Sequence, residues 1–293
     1  ITGIKRDIAL VKKIELAQLS AESKVTILDI SMEKNAEALA QVLETGAQVF
    51  YADHHRAGDI PTASNLTAHI DLDANTCSAL IVDKLLKGQY HHWAITAAYG
   101  DNLHKVGDTL SEEAGLSDTQ ANQLKELGTL INYNGYGAHT ADLAYHPAEL
   151  FTSLNQYSSP FDCIADLDSP YHVLKTAFEA DFAKASSAEV LHESYSCFAV
   201  LLEDAAWSRR ISGTYGNHLA NQAPKRAHIV VTTVDADHYL ISLRAPLSNK
   251  TGAGDICSEF ATGGGRAAAA GINLLPKAQL AELIEKVEGF YRK

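Results

Sequence analysis

Cysteine is scarce in this chain and is never arranged in pairs. The 293 residues include four cysteines, and no two of them have C-x-x-C spacing. Structural zinc sites and disulfide frameworks both need clustered cysteines. The sequence therefore predicts neither, and a reducing, cytoplasmic compartment fits the scattered thiols best.

Long apolar runs are missing as well. No stretch approaches the roughly 20 apolar residues of a membrane-spanning helix, and residues 1–7 lack the apolar centre of a signal peptide. We therefore expect no membrane segment. The chain begins with Ile1 and not with Met, which leads us to expect further residues upstream.

Basic residues are outnumbered in the first part of the chain. Residues 1–185 contain 13 Lys/Arg and 25 Asp/Glu, which gives 13 − 25 = −12, whereas residues 186–293 contain 11 of each. An acidic first part suits cation binding, and a neutral second part leaves cations free for an anion, although an acidic surface also simply aids solubility. The absence of a basic stripe argues against binding of long nucleic acids.

Short apolar runs alternate with a helical pattern near the start of the chain. Residues 24–30 and 48–52 have strand character, and residues 34–45 between them have helical spacing. This alternation predicts an α/β fold with a doubly wound parallel sheet. A smaller α/β unit is expected to follow it.

The composition between residues 134 and 170 shifts to Gly, Pro, Tyr and Ser, which is typical of a domain boundary. We therefore predict a first domain over residues 1–150, a linker with a connecting helix over 151–192, and a second domain over 193–293.

Acidic residues and histidines fall where ligands bind in parallel sheets. Asp53, His54 and His55 end the second predicted strand and Asp29 ends the first, while Asp101 follows a helix. On an extended backbone the two imidazoles should point to opposite sides, so that one binds a metal and the other faces substrate. Carboxylates with a single imidazole suit Mn²⁺ or Mg²⁺. Taken alone, the histidine pair is equally consistent with a surface loop, and Asp29 and Asp101 each favour a turn or a helix cap.

The second part of the chain carries a glycine run beside arginines. Gly263, Gly264 and Gly265 could direct backbone N–H groups at an anion, and Arg244 and Arg266 could add bidentate phosphate contacts. A helix cap with a tight turn is the alternative explanation for the glycines, and surface exposure is the alternative for each arginine.

Together these motifs resemble the DHH phosphoesterase family with its C-terminal DHH-associated domain. The resemblance covers nearly the whole chain, and it depends on Asp29, the Asp53-His54-His55 triplet, Gly100-Asp101, Ser242-Leu243-Arg244 and the Gly263–Arg266 run. It implies a two-Mn²⁺ (or Mg²⁺) centre in a cleft between two domains.

The resemblance also implies a role for each matching residue. The implied metal ligands are Asp29, His54 and Asp101, and the implied catalytic residues are His55 on the scissile phosphate, Asp53 orienting a neighbouring histidine, and Asp101 bridging the metals. The implied substrate-binding residues are Arg244, Gly263, Gly264, Gly265 and Arg266.

The chain departs from the family pattern at two points. The first metal-binding motif is absent and its usual place lies upstream of Ile1, so we expect two ions only in a longer protein. Arg266 also stands where the family usually has histidine. Arginine cannot shuttle protons, but it is a permanent phosphate clamp.

The expected activity is hydrolysis of a phosphodiester, phosphomonoester or phosphoanhydride in a small or short nucleotide-like substrate. A polyphosphate stays open as a substrate, and the resemblance leaves room for a homodimer. The alternative is a non-catalytic nucleotide or phosphate sensor that has lost the first metal motif. A transferase that uses the glycine run for a nucleotide cofactor is a third alternative, and it leaves the Asp29, His54 and Asp101 grouping unexplained.

Overall fold

The computed structural model describes residues 1–5 and 7–292, which divide into two compact units. The first unit comprises Ile1–Gly135 and Tyr145–Leu174, and the second comprises Tyr136–Ala144 and Lys175–Lys293. The chain therefore passes between the units three times.

A three-stranded parallel sheet forms the centre of the first unit. Its strands are β1 (Lys24–Leu28), β2 (Gln48–Asp53) and β3 (Leu66–Ile70), in the order β1-β2-β3. Two parallel neighbours need a crossover connection, and helix α1 (Ala36–Glu44) makes it between β1 and β2.

The core under this sheet comes from apolar residues of β1, β2 and α1. Tyr51, Leu39 and Val42 are fully buried there, and the Tyr51 hydroxyl donates a 2.6 Å hydrogen bond to the Ile30 carbonyl. This bond anchors the chain just beyond the end of β1, where the predicted site residues begin.

Helices complete the first unit. They are α2 (Ser78–Leu85), α3 (His91–Gly100), α4 (His104–Glu113), α5 (Asp118–Tyr133), α6 (Pro147–Leu154), α7 (Pro160–Ala165) and the first part of α8 (Pro170–Ser186). Helices α4 and α5 are separate, because Gly115 adopts a left-handed φ of 69° and Ser117 begins α5 with a capping box to Gln120.

The units divide at different positions from the predicted boundaries at 150 and 192. Helices α6 and α7 stay with the first unit, since Leu150 and Cys163 are buried and the Trp93 indole donates to the Tyr157 carbonyl. Composition alone does not reveal this packing.

The second unit is built on a six-stranded mixed sheet in the order β4-β5-β6-β7-β9-β8. The strands are β4 (Glu189–Glu193), β5 (Cys197–Leu202), β6 (Ala227–Thr233), β7 (His238–Arg244), β8 (Gly263–Gly265) and β9 (Ala269–Pro276). The helices are the second part of α8, α9 (Ala206–Gln222), α10 (Ala253–Ser258) and α11 (Leu280–Tyr291). Strands β5 and β6 are parallel, and the other neighbouring pairs are antiparallel.

These observations confirm the predicted α/β fold class with a parallel sheet followed by a second α/β unit. The apolar, β-rich sequence predicts strands over 197–202, 228–233 and 239–244, and β5, β6 and β7 lie within one residue of these ranges. Strand β4 is a difference, because its residues were assigned to the end of the connecting helix. None of the helices in the described part of the chain is long and apolar enough to span a membrane.

His228 is an ionisable residue inside the second sheet. It is 1% exposed, and its Nδ1 atom is buried without a hydrogen-bond partner in the described part of the chain. Burial lowers the pKa of His228 to about 4, and the nearby charge of Arg226 acts in the same direction. The folded protein therefore holds this imidazole neutral at a pH where the unfolded chain protonates it.

We predict that the free energy of unfolding falls as the pH drops from about 6.5 towards 4, because the unfolded state binds the proton first. The contribution of His228 to this loss is on the order of 2 kcal/mol at pH 5. Urea unfolding at pH 7.5 and pH 5 measures it, and His228→Gln should reduce the difference between the two pH values. An undiminished difference in the variant would show that other groups cause it.

Candidate metal centre and anion site

The first candidate site lies at the carboxyl end of the parallel sheet. Asp29 directly follows β1, and its backbone N–H donates to the Ala52 carbonyl of β2. Asp29 has a left-handed φ of 59°, a conformation that Asp tolerates better than most residues. The backbone therefore changes direction at Asp29, and the Asp29 carboxylate lies at the carboxyl end of the sheet.

His54 lies next to the Asp29 carboxylate, and its hydrogen bond to Thr76 fixes which ring nitrogen faces Asp29. Its Nδ1 atom lies 3.0 Å from the Thr76 carbonyl oxygen, which can only accept, so Nδ1 carries the hydrogen. The Nε2 atom then faces two carboxylates, at 3.4 Å from Asp29 Oδ1 and 3.9 Å from Asp101 Oδ2. The structure thus brings together the three residues that the sequence predicts as metal ligands.

Asp101 reaches the cluster because helix α3 ends in a Schellman motif. The Leu103 N–H donates to the Ala98 carbonyl and the Asn102 N–H donates to the Tyr99 carbonyl, while Asn102 has a left-handed φ of 62°. This ending fixes Asp101 as the C-cap residue of α3.

Two glycines let α3 pack closely against α5 beside Asp101. A Cβ atom on Gly128 would lie 2.1 Å from the Thr96 carbonyl oxygen and 2.9 Å from the Gly100 nitrogen. A Cβ atom on Gly100 would lie 2.8 Å from the Gly128 carbonyl oxygen. Gly100 is therefore a helix-packing residue as well as the last residue of α3.

His55 is held by the buried acid that precedes the histidine pair. Its Nδ1 atom lies 2.7 Å from Asp53 Oδ1, and Asp53 is fully buried with its Oδ2 atom unpaired in the described part of the chain. A carboxylate on Nδ1 fixes the ring orientation and turns Nε2 outward.

The two imidazoles lie side by side, which differs from the prediction that they point to opposite sides. Their ring centroids are 4.5 Å apart. The reason is that β2 ends at Asp53 and the chain bends at His54 and His55, so strand alternation no longer applies.

The donor set fits a divalent cation. Asp29, His54 and His55 each offer one ligand atom, and these atoms all lie within 4.8 Å of one another. Asp101 contacts His54 but lies outside this tightest group. Oxygen ligands supplemented by imidazole are the chemistry that Mn²⁺ accepts, and the Ser78 hydroxyl supports Asp29 with a 2.8 Å hydrogen bond.

The charges within the cluster stabilise one another. Desolvation is the largest single effect on the pKa of Asp29 and raises it. The hydrogen bonds from His54 and Ser78 and the charges of His54 and His55 together hold this pKa below its ordinary value. The hydrogen bond to Asp29 raises the pKa of His54, and the charge of Asp101 supports this.

The second candidate site, in the second unit, centres on Arg244 at the end of β7. Its guanidinium donates to Asn217 Oδ1 at 2.7 Å, to Ser242 Oγ at 3.0 Å, and to the Leu243 and Gly213 carbonyl oxygens at 3.3 and 3.2 Å. All four acceptors are neutral. Burial lowers the pKa of Arg244, and the charge of Arg266 also lowers it, so the two arginines are close enough to repel.

Two glycines of α9 lie beside Arg244 and Tyr136, and the one at position 213 allows a contact too close for a side chain. Arg244 Cγ would lie 3.5 Å from a Cβ atom on Gly216, and a Cβ on Gly213 would lie 2.3 Å from the Tyr136 ring. The sequence interpretation missed these glycines and Asn217, although a G-x-x-G spacing in a helix is a signal for close packing.

The Gly263–Gly265 run forms an edge strand, although three successive glycines before the strand at 268–274 predict a turn. It pairs with β9 along Gly263↔Ile272, Gly264↔Gly271 and Gly265↔Ala270. Backbone packing demands glycine at the first and last positions, because a Cβ atom there would lie 1.7 Å from the Cys257 carbonyl oxygen and 2.5 Å from Ala270 Cα. Only Gly264 has open space around its Cα.

Arg266 follows this strand in an exposed turn. Its backbone exchanges hydrogen bonds with Ala269, and its side chain forms no ion pair within residues 1–5 and 7–292. An exposed arginine without a carboxylate partner remains available for an anion.

Adjacent basic residues in a helix usually form a solvated face, but Arg209 and Arg210 form ion pairs. Arg209 binds both carboxylate oxygens of Asp142, at 2.9 and 3.0 Å, and Arg210 binds both oxygens of Asp181, at 2.8 and 3.0 Å. Arg209 holds the pKa of Asp142 at about 2. These arginines fasten segment Tyr136–Ala144 and α8 to α9.

We predict that Gly128→Ala destabilises the first unit by about 1–3 kcal/mol, because the added methyl group would overlap the α3 backbone. Thermal unfolding measures this loss. Gly289→Ala is the matched control, since a Cβ atom there meets nothing within 4 Å, and its stability should be unchanged or higher by up to ~1 kcal/mol. Equal stability of the two variants would contradict the close α3–α5 contact.

Comparison with known proteins finds a family match within the second unit. Residues 194–293 match the family described as the DHHA1 domain, as the sequence resemblance predicted. No sequence among the curated proteins matches the chain. Among solved structures, the chain is similar to the pGpG-specific phosphodiesterase PggH from Vibrio cholerae, with a TM-score of 0.54, 10% sequence identity, and coverage of 93% of this chain and 99% of that chain. Residues 194–293 are therefore a DHHA1 domain. The chain as a whole has a mixed α/β fold similar to that of this phosphodiesterase.

Proposed function

We propose that the protein is a cytoplasmic, metal-dependent phosphoesterase that hydrolyses a short nucleotide-like substrate. The observation that carries the proposal is the meeting of His54 Nε2 with Asp29 and Asp101 at 3.4 and 3.9 Å, beside a second imidazole held by Asp53. Four buried, unpaired cysteines support the reducing compartment.

Asp29, His54 and Asp101 would hold Mn²⁺ or Mg²⁺. Thr76 occupies the Nδ1 hydrogen of His54, so Nε2 is the nitrogen left for an ion, which would replace a hydrogen there. Ser78 orients Asp29. A bound ion of this kind polarises a phosphoryl oxygen and lowers the pKa of bound water. A second ion would need ligands beyond this set, such as those of the first family motif.

His55 would contact the scissile phosphate. Its Nδ1 hydrogen is directed at Asp53 Oδ1, which leaves Nε2 as the nitrogen facing outward. Protonated Nε2 would then donate to a phosphoryl oxygen while negative charge builds there. Asp53 orients His55 and does not itself touch the substrate.

Short substrates are favoured over long strands. The excess of acidic residues in positions 1–185 disfavours a polyanion away from the metal. Arg266 and Gly264 would contact a substrate phosphate in the second unit, and the charge of Arg244 would attract it. Gly263 and Gly265 contribute through backbone packing. The solved protein with a similar fold is named for pGpG, and we propose a 5′-phosphorylated dinucleotide of this kind as the substrate.

Hydrolysis of pGpG by the full chain tests this function directly. We expect turnover with Mn²⁺ and none with EDTA, and we expect His55→Ala to lower kcat by about 10²–10⁴-fold. Separation of the nucleotide products by chromatography measures the rate.

His91→Ala is the matched control, because His91 forms the same 2.7 Å contact between Nδ1 and a carboxylate, with Asp83, at the opposite end of α3. Its rate should equal that of the unchanged protein. Binding of pGpG without Mn²⁺-dependent turnover would favour the non-catalytic sensor, and full activity of His55→Ala would refute the role of His55.

A further inference from the structure

Arg244 has too few free hydrogens to clamp a phosphate. A guanidinium carries five N–H donors, and four of them already serve Asn217, Ser242 and two backbone carbonyls. Only one N–H, on Nη2, remains. The bidentate contact expected from the sequence is therefore unavailable without breaking bonds that fix the side chain.

Asn217 is oriented by this arrangement. Arginine has no acceptor, so the Asn217 atom that faces Arg244 Nε at 2.7 Å must be the carbonyl oxygen Oδ1. Its Nδ2 amide consequently faces away from the guanidinium, and it forms no hydrogen bond within the described residues. The backbone of Asn217 is held in the middle of α9, where its carbonyl accepts from Asn221.

Ser242 is oriented in the same way. Its oxygen accepts from Arg244 Nη1 at 3.0 Å, and the hydroxyl hydrogen is left to donate elsewhere. Ser242 and Arg244 are two residues apart on β7, so they project from the same face of the sheet.

We propose that Asn217 is a phosphate-binding residue of the second unit, that Ser242 assists it, and that Arg244 is the positioning residue that orients both. This inference rests on the proposed function, because it assigns the donors that receive a substrate phosphate. The Arg244 charge also favours an anion nearby, since no carboxylate pairs with Arg244 or Arg266 in the part of the chain that the structure describes. The ligand class is a phosphate group with at least two anionic oxygens, which the amide and Arg266 would share.

Asn217→Asp separates a binding role from a structural one. The aspartate keeps an oxygen facing Arg244 and gains an ion pair with it, so folding should be preserved, but it replaces the Nδ2 donor by an anionic oxygen. We expect the affinity for inorganic pyrophosphate to fall by at least about tenfold, with an unchanged or higher Tm. Calorimetric titration of the full chain in EDTA measures the affinity without involving a metal.

Arg244→Lys tests the positioning role. Lysine keeps the charge but cannot bind Asn217 and Ser242 at once through a planar fork. The pyrophosphate affinity of Arg244→Lys should therefore fall to that of a second variant, Asn217→Ala. The double variant that combines both substitutions should lose little more. Gln222→Ala, which removes an exposed amide from the same helix, is the control and should bind as the unchanged protein does.

Three results would overturn the inference. They are unaltered pyrophosphate affinity in Asn217→Asp, fully additive losses in the double variant, and absence of pyrophosphate binding by the unchanged protein. The Mn²⁺-dependent hydrolysis of pGpG reports separately on the metal centre, so a failure here is distinct from a failure of the proposed function.

Discussion

The hydrogens on two ring nitrogens determine what the first site can do. His54 and His55 each commit Nδ1 to a fixed acceptor, the Thr76 carbonyl and the Asp53 carboxylate. Each ring therefore turns Nε2 towards the carboxyl end of the sheet. If these acceptors were absent, either nitrogen could carry the hydrogen, and the cluster with Asp29 would have no defined lone pair for a cation.

Close helix packing is the second constraint, and both units satisfy it with glycine. Gly100 and Gly128 let α3 approach α5 where α3 ends in Asp101. Gly213 and Gly216 leave a shallow face on α9, against which Arg244 and Tyr136 lie. At Gly100, Gly128 and Gly213 a Cβ atom would overlap neighbouring atoms, so these three close contacts require glycine.

Much of this arrangement could be predicted from the sequence. The β-rich runs ending in Asp29 and Asp53 identified the strand ends, because parallel strands bring their carboxyl ends to one edge. The DHHA1 domain was identified from Ser242-Leu243-Arg244 and the glycine run, and the family comparison confirms it. The roles of the individual site residues remain predictions.

Other features depended on tertiary contacts that no local pattern encodes. The bend after Asp53 placed the two imidazoles together, and the pairing of Gly263–Gly265 with β9 converted a predicted turn into a strand. The sequence did not indicate a role for Asn217, because an asparagine within a helix is common. Its amide is oriented only by Arg244, which lies on a distant strand.

The central claim is that the His54 Nε2 atom binds a divalent cation, and pulsed electron paramagnetic resonance of Mn²⁺ added to the full chain tests it most directly. The account predicts ¹⁴N coupling from a coordinated imidazole, lost or strongly reduced in His54→Ala and retained in His91→Ala. Bound Mn²⁺ without ¹⁴N coupling, or an unchanged coupling in His54→Ala, would contradict it.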